Sequence, residues 1–215
     1  MTTILYNKFD KKSIGQLPRA TFPGKIVVVL NEEEANKAVD YLLSCDILGI
    51  DTETKPVFKK GQHNKVALLQ VSTRDICFLF RLNLIGIPLC LVRFLEDRTV
   101  PKIGLSLTDD IMMLHQRSPF KQGYFIDLQN LVGEFGIEDM SLQKIYANLF
   151  HERITKREQL SNWEAPILND KQKMYAATDA WTCIQIFEKL NELRESGNYK
   201  TEVVPTSDMD SEEAK

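Results

Sequence analysis

Histidine and cysteine are scarce in this sequence, with three and four residues among 215. His63, His115 and His151 follow no ligand-like spacing, and Cys45, Cys77, Cys90 and Cys183 stand too far apart for a zinc or dithiol motif. A zinc centre, a disulfide framework and thiol redox chemistry are therefore set aside, and buried thiols in a reducing cytoplasm are expected. Any metal must be held by carboxylates, which points to a hard divalent cation such as magnesium or manganese. Long apolar runs are also missing. The longest, LIGIPLCLV at 84–92, has nine residues, against the ~18 that suggest a membrane span. The N-terminal MTTILYNKFDKK lacks the charged-then-apolar layout of a secretory signal, so no membrane partner is expected and a cytoplasmic location is.

A dominant charge of one sign is lacking too. The net charge is −3, and residues 201–215 hold five acids against Lys215, which leaves residues 1–200 at +1. A near-neutral body neither requires nor excludes a nucleic-acid partner. What is present is ordinary globular composition, 43% apolar and 27% charged. A chain of this length fits one full-sized domain or at most two small ones. It buries roughly 70% of its unfolded surface, so it needs no staple.

Three regions emerge. Residues 1–24 form an irregular N-terminal extension, 25–196 a single α/β domain, and 197–215 an acidic tail of disordered composition. Within the domain, KIVVVL (25–30) reads as a buried strand, followed by a helix capped by Asn31. DILGID (46–51), KVALLQVS (65–72) and ICFLFRL (76–82) follow as strands without an intervening helix, the pattern of an antiparallel meander. A helix to about 96, a strand at 100–107, a helix from about 108 and a strand near 124–127 come next, and helices dominate thereafter. The expected architecture is a central mixed sheet flanked by helices.

Three acidic motifs carry candidate chemistry. Asp51-Thr52-Glu53 stands where the apolar run ILGI stops, and i, i+2 spacing in a strand points both carboxylates to one face. Such anions repel and raise one another's pKa unless a cation lies between them; taken in isolation, a D-x-E reads first as a solvated strand end. Tyr175 and Asp179 share a helical arc with Cys183, Ile186, Leu190 and Leu193, which sets Asp179 in an apolar stripe where a carboxylate needs a cation or strong donors. A neighbouring loop could also cap it. KIGLSLTDDIMML (102–114) turns from strand to helix with Asp109 and Asp110 in the first turn. There they could join the other acids or simply favour the helix dipole.

The order of these motifs resembles the DEDD family of 3′→5′ exonucleases, tyrosine subclass. The resemblance spans about 25–195 and includes ILGIDTETKP, VALLQVS, KIGLSLTDD, FIDLQNL, SLQKIYANLF, ITKREQLSNW and QKMYAATDAW. The layout is most similar to the Werner-type exonuclease domain, then to ribonuclease D. Met174 stands where the histidine subclass has its histidine. The resemblance implies a ribonuclease H-like fold, two divalent cations (Mg²⁺ or Mn²⁺), and a nucleic-acid substrate with a free 3′ end. It also implies release of 5′-mononucleotides. By it, Asp51 bridges both cations, Glu53 and Asp179 hold the one that activates water, Asp110 helps hold the other, and Tyr175 orients the water. DNA is slightly favoured as substrate; trimming of RNA 3′ ends and a catalytically silent binding module are the alternatives.

Spacing within the family pattern favours Asp110 over Asp109. On a helical wheel Asp110 falls about 70° from the stripe of Leu107, Ile111 and Leu114, with Asp109 nearly opposite. Substrate contacts are expected from Thr52 and from the lysine-rich loop KPVFKKGQHNK (55–65). There Lys55 and Lys60 would neutralise phosphates and Phe58 would stack on a base; a solvated loop is the competing account. Lys156, flanked by Arg153 and Arg157, matches a lysine common in the family, and Trp163 reads as a core anchor.

Overall fold

The computed structural model describes residues 2–57, 59, 61 and 63–204. Its strands are β1 (Thr3–Tyr6), β2 (Lys25–Val29), β3 (Leu48–Glu53), β4 (Leu68–Ser72), β5 (Ile76–Phe80), β6 (Lys102–Gly104), β7 (Phe125–Asp127) and β8 (Tyr199–Glu202). Its helices are α1 (Lys11–Ile14), α2 (Glu32–Leu42), α3 (Leu82–Ile85), α4 (Leu89–Glu96), α5 (Leu107–His115), α6 (Leu128–Glu134), α7 (Leu142–Phe150) and α8 (Asp170–Ser196). Six strands form one mixed sheet in the order β2-β5-β4-β3-β6-β7. The β3–β4–β5 meander is antiparallel, and β2, β6 and β7 join in parallel to their neighbours. This is the mixed, helix-flanked architecture that the strand and helix patterns imply.

Alternation divides the sheet into two unlike faces. Leu48, Ile50, Leu69, Val71, Phe78 and Phe80 point into an apolar core with residues of α2, α4 and α5. The intervening residues of β3 and β4 face the long helix α8. Asn169 and Gln172 start that helix with a reciprocal capping box, and Gly197 in the left-handed region ends it. The apolar arc Tyr175–Leu193 is buried as its periodicity implies, but residues 175–180 are buried all round because the first half of α8 crosses the sheet. Gly49 permits that crossing. A Cβ there would meet the Ala180 carbonyl oxygen at 1.9 Å, so only glycine lets β3 and α8 approach this closely.

The ends of the chain depart from the sequence reading. Residues 1–24, expected as irregular, contain β1 and α1, and Tyr199–Glu202, expected within a disordered tail, forms β8. β1 and β8 pair in parallel, from Thr3 opposite Tyr199 to Tyr6 opposite Glu202. Four-residue strands carry too little local periodicity to be read, and each exists here because the other supplies its hydrogen bonds. Residues 205–215 of the acidic tail lie outside the described residues.

Candidate active site

β3 and α8 build the centre of the site. Asp51 and Glu53 follow Gly49 on the α8 face, and α8 places Asp179 one residue before the Ala180 carbonyl that crowds Gly49. β6 pairs with β3 only at Leu48 and Gly49, then turns away after Gly104. The edge of β3 beside Asp51 is thus left open, and a cavity of about 330 Å³ lies there, lined by Asp51, Glu53, Tyr175, Asp179 and Cys183.

One ligand oxygen from each of Asp51, Glu53 and Asp179 lies within 4.8 Å of the others. Asp179 is 7% exposed, and its Oδ1 has no hydrogen-bond partner. Burial, and then the Asp110 and Asp179 charges, hold the Asp51 carboxyl well above its usual range. Burial and the neighbouring acids push Glu53 up to about 10. Burial lifts Asp179 to about 7, against a hydrogen-bonding interaction with the Tyr175 phenol and the positive charge of Lys156. Three crowded, desolvated carboxylates, all held above their usual range, form a set that a divalent cation would relieve. The orphaned oxygen and the hard oxygen donors both fit such an ion.

Asp110 stands beside this triad rather than within it. It is half-buried and accepts a hydrogen bond from the Thr52 hydroxyl. Burial raises its carboxyl to about 6, opposed by the Thr52 bond and aided by the charges of Asp109 and Asp127. Asp109 is exposed. Helix α5 begins at Leu107 from Ser106, a left-handed residue at φ 61°. Asp127 holds that turn, accepting from the Ser106 and Leu107 amides at 3.0 and 2.8 Å while capping α6 through Gln129. Asp127 thereby sets the angle at which Asp110 meets Thr52. The sequence reading did not single it out, although an acid at a strand-to-helix junction (FIDLQNL) is the signal of such a cap.

Burial, then the charges of Asp179 and Glu53, drive the Tyr175 phenol further above its ordinary value. Tyr175 packs on the fully buried Trp163, ring centroids 5.9 Å apart, so Trp163 is the core anchor expected. Lys156 lines the cavity, as does Thr52, whose hydroxyl is engaged by Asp110. Lys55 instead pairs with Glu164 at 3.3 Å, outside the cavity lining. Phe58 and Lys60 lie outside the described residues. Met140, Ser141, Gln143 and Gln159 also line the walls and were not anticipated, because single polar or apolar residues at the ends of elements and in connecting segments carry no sequence pattern. Gln70, opposite Asp51 in the β3–β4 register, is fully buried with neither amide atom hydrogen-bonded.

Residues 26–195 match a protein-family model described as 3′-5′ exonuclease. The chain is 29% identical over 187 residues to the bifunctional 3′-5′ exonuclease/ATP-dependent helicase of Mus musculus, covering 82% of this chain and 13% of that protein. It is 35% identical over 159 residues to exonuclease 3′-5′ domain-containing protein 2 of Drosophila melanogaster, covering 72% of this chain and 27% of that one. It therefore spans less than a third of the length of either relative. The crystal structure of the Aedes aegypti Nibbler EXO domain superposes with a TM-score of 0.74 at 21% identity, over 82% of this chain and 94% of that domain.

Proposed function

Because this chain belongs to the 3′-5′ exonuclease family, we propose that it hydrolyses the terminal phosphodiester at the 3′ end of a nucleic-acid strand and releases 5′-mononucleotides. The carrying observation is the triad of Asp51, Glu53 and Asp179 within 4.8 Å, with an unpartnered buried oxygen on Asp179. Asp51, Glu53 and Asp179 would hold one divalent cation, and Asp51 with Asp110 a second; magnesium or manganese suits this all-oxygen set. When bound, such cations stabilise negative charge on the attacking water and on the departing 3′-oxygen.

The chain's own groups supply orientation. Tyr175 keeps its proton, since its surroundings oppose ionisation, so its hydroxyl aligns water by hydrogen bonding rather than by removing a proton. Thr52 fixes the Asp110 carboxylate. Lys156 places a positive charge on the cleft wall, suited to a phosphate. Lys55, Phe58 and Lys60 are the further substrate contacts we propose, with Lys55 exchanging Glu164 for a phosphate. DNA is the proposed substrate, supported by the resemblance to the Werner-type exonuclease domain, and RNA is the other outcome to be tested, since discrimination rests on contacts to the 2′-hydroxyl. The four free thiols suit a reducing compartment, and we place the protein in the cytoplasm. No described helix is long and apolar enough to cross a membrane.

Matched 5′-labelled DNA and RNA single strands, incubated with Mg²⁺, Mn²⁺ or EDTA, test this reading. Stepwise shortening from the 3′ end that EDTA abolishes is expected. Cleavage that resists EDTA, or metal-dependent strand binding without cleavage, would overturn it.

A further inference from the structure

Residues 3–20 and 199–204 lie outside the stretch that matches the family and pair with each other through β1 and β8, yet residues 7–20 are bonded to both walls of the cleft. At the first wall, the Phe9 amide donates to the buried Asp139 carboxylate at 2.7 Å, and the Glu138 amide donates to the Asn7 carbonyl at 2.8 Å. The residues that follow directly, Met140 and Ser141, line the cleft. At the second wall, Arg153 donates its amide to the Pro18 carbonyl at 2.8 Å and its Nε to the Leu17 carbonyl at 2.9 Å, and its own carbonyl accepts from the Ala20 amide. Ile154 to Lys156, next in the chain, line the cleft too. A cross-tie joins the walls, Gln143 Nε2 donating to the Ile154 carbonyl at 2.7 Å.

The strap has its own anchor. Asn148, fully buried in α7, accepts from the Tyr6 amide at 2.9 Å and donates to the Tyr6 carbonyl at 2.6 Å. β8 pairs along β1, and Asn7 Oδ1 accepts from the Val204 amide at 2.8 Å. The carboxylates, by contrast, sit on β3, α5 and α8, elements joined through the central sheet and its two faces, and the chain bonds to α8 just after the strap, where the Phe22 amide donates to the Thr178 hydroxyl at 3.1 Å.

We infer that the paired terminal segments are a positioning element for substrate: they fix the separation of the two cleft walls, and so govern strand binding without governing the metal site. This rests on the exonuclease reading. Binding linkage supplies the converse. If an ordered strap favours strand binding, strand binding must order the strap by the same factor.

The test uses the full chain and a single-stranded oligonucleotide whose terminal linkage resists hydrolysis. Hydrogen exchange at the Tyr6 and Phe9 amides should slow about tenfold on strand binding in Mg²⁺, as the linkage requires. Asn148→Leu, which preserves bulk but unlatches β1, should raise KM about tenfold on a cleavable strand, with kcat within about twofold and the Mn²⁺ affinity measured by calorimetry unchanged. Asp139→Ala, at the other end of the strap, should do the same, and Arg194→Met, which breaks an exposed pair with Glu134, should change neither constant. Unchanged exchange at Tyr6 and Phe9 overturns the inference whether or not the variants fold. So does a folded Asn148→Leu with unaltered KM, or one in which kcat and Mn²⁺ affinity fall together. A wild type that binds strands and protects the strap but cleaves nothing would leave this inference standing and remove the exonuclease reading; one that binds no strand would remove both.

Discussion

Lys102, at the start of β6, and Asp179, in α8, are both withdrawn from water, at 0% and 7% exposure, but their surroundings differ. Lys102 donates to the carbonyls of Asp97 and Val100 at 3.0 Å each, lies 3.5 Å from the Asp97 carboxylate, and sits over the rings of Phe94 and Phe125. Burial pulls its pKa down, and the Asp97 charge opposes that pull. Asp179 has an oxygen with no partner and two carboxylates for neighbours. A buried charge that serves the fold is enclosed by donors, acceptors and a counter-charge; one that serves a ligand is left incomplete. The same contrast separates the faces of the sheet, since the α2–α4 side is closed and apolar while the α8 side keeps Asp51, Glu53 and the unbonded Gln70.

Substitutions at the incomplete centre should have the largest effect. Asp51→Asn, Glu53→Gln and Asp179→Asn should each lower kcat by about 10³-fold or more, the equivalent of roughly 4 kcal/mol of lost charge stabilisation. Circular dichroism should show the fold intact; a variant retaining a tenth of wild-type turnover would break the comparison. Tyr175→Phe keeps the ring against Trp163 and removes only the hydroxyl. It should cost about 10²-fold in kcat with divalent-cation affinity preserved, and unchanged turnover would make Tyr175 a packing residue only.

Stability should move in opposite directions at the two charges. Lys102→Met should destabilise the protein by about 1–3 kcal/mol in urea unfolding, because it strands the two carbonyls and Asp97. In EDTA, Asp179→Asn should stabilise it by a comparable 1–3 kcal/mol at pH 7.5. The sign follows from proton linkage. With a folded pKa of about 7 against a usual 3.8, folded Asp179 retains a proton that the unfolded chain has released, so stability is lost as pH rises from 3.8 through 7. Melting curves of wild type and Asp179→Asn should therefore converge near pH 4 and separate toward pH 8, and saturating Mg²⁺ should restore the wild type. Equal melting temperatures at every pH would deny the carboxylate cluster its strain.

Two comparisons sharpen the picture at the rim. Lys156→Ala should weaken strand binding and flatten its salt dependence by about 0.7 in log–log slope, the loss of one phosphate contact to a single strand. A slope that stays put would leave Lys156 to Asp179 alone. Asp109→Asn should be silent in kcat, KM and melting temperature, whereas Asp110→Asn should behave like the triad variants. The reverse pattern would mean that the Thr52 bond does not mark the functional acid.

Much of this site was legible because it lies on regular elements. Period-2 alternation put Asp51 and Glu53 on one face, and the helical arc put Tyr175 over Asp179; both arrangements stand in the structure. The wheel of α5 separated Asp110 from an exposed Asp109. The connecting segments were not legible. A lysine-rich loop after two acids suggested free cations, but Lys55 is paired with Glu164, an acid more than a hundred residues away. The importance of Asp127 was equally hidden, since its carboxylate serves amides of Ser106 and Leu107 in another segment.

By itself the sequence determined the central strands and the longer helices of residues 25–196 and which acids could share a site, because helices and strands obey short periods and a buried carboxylate betrays itself by standing in an apolar stripe. Only the tertiary structure decided that β1 and β8 exist, that Asp127 holds the turn bearing Asp110, and that Asn148 and Arg153 fasten the N-terminal segment to the cleft. Those interactions join residues far apart in the chain, and a hydrogen bond closed across such a distance leaves no local period to read.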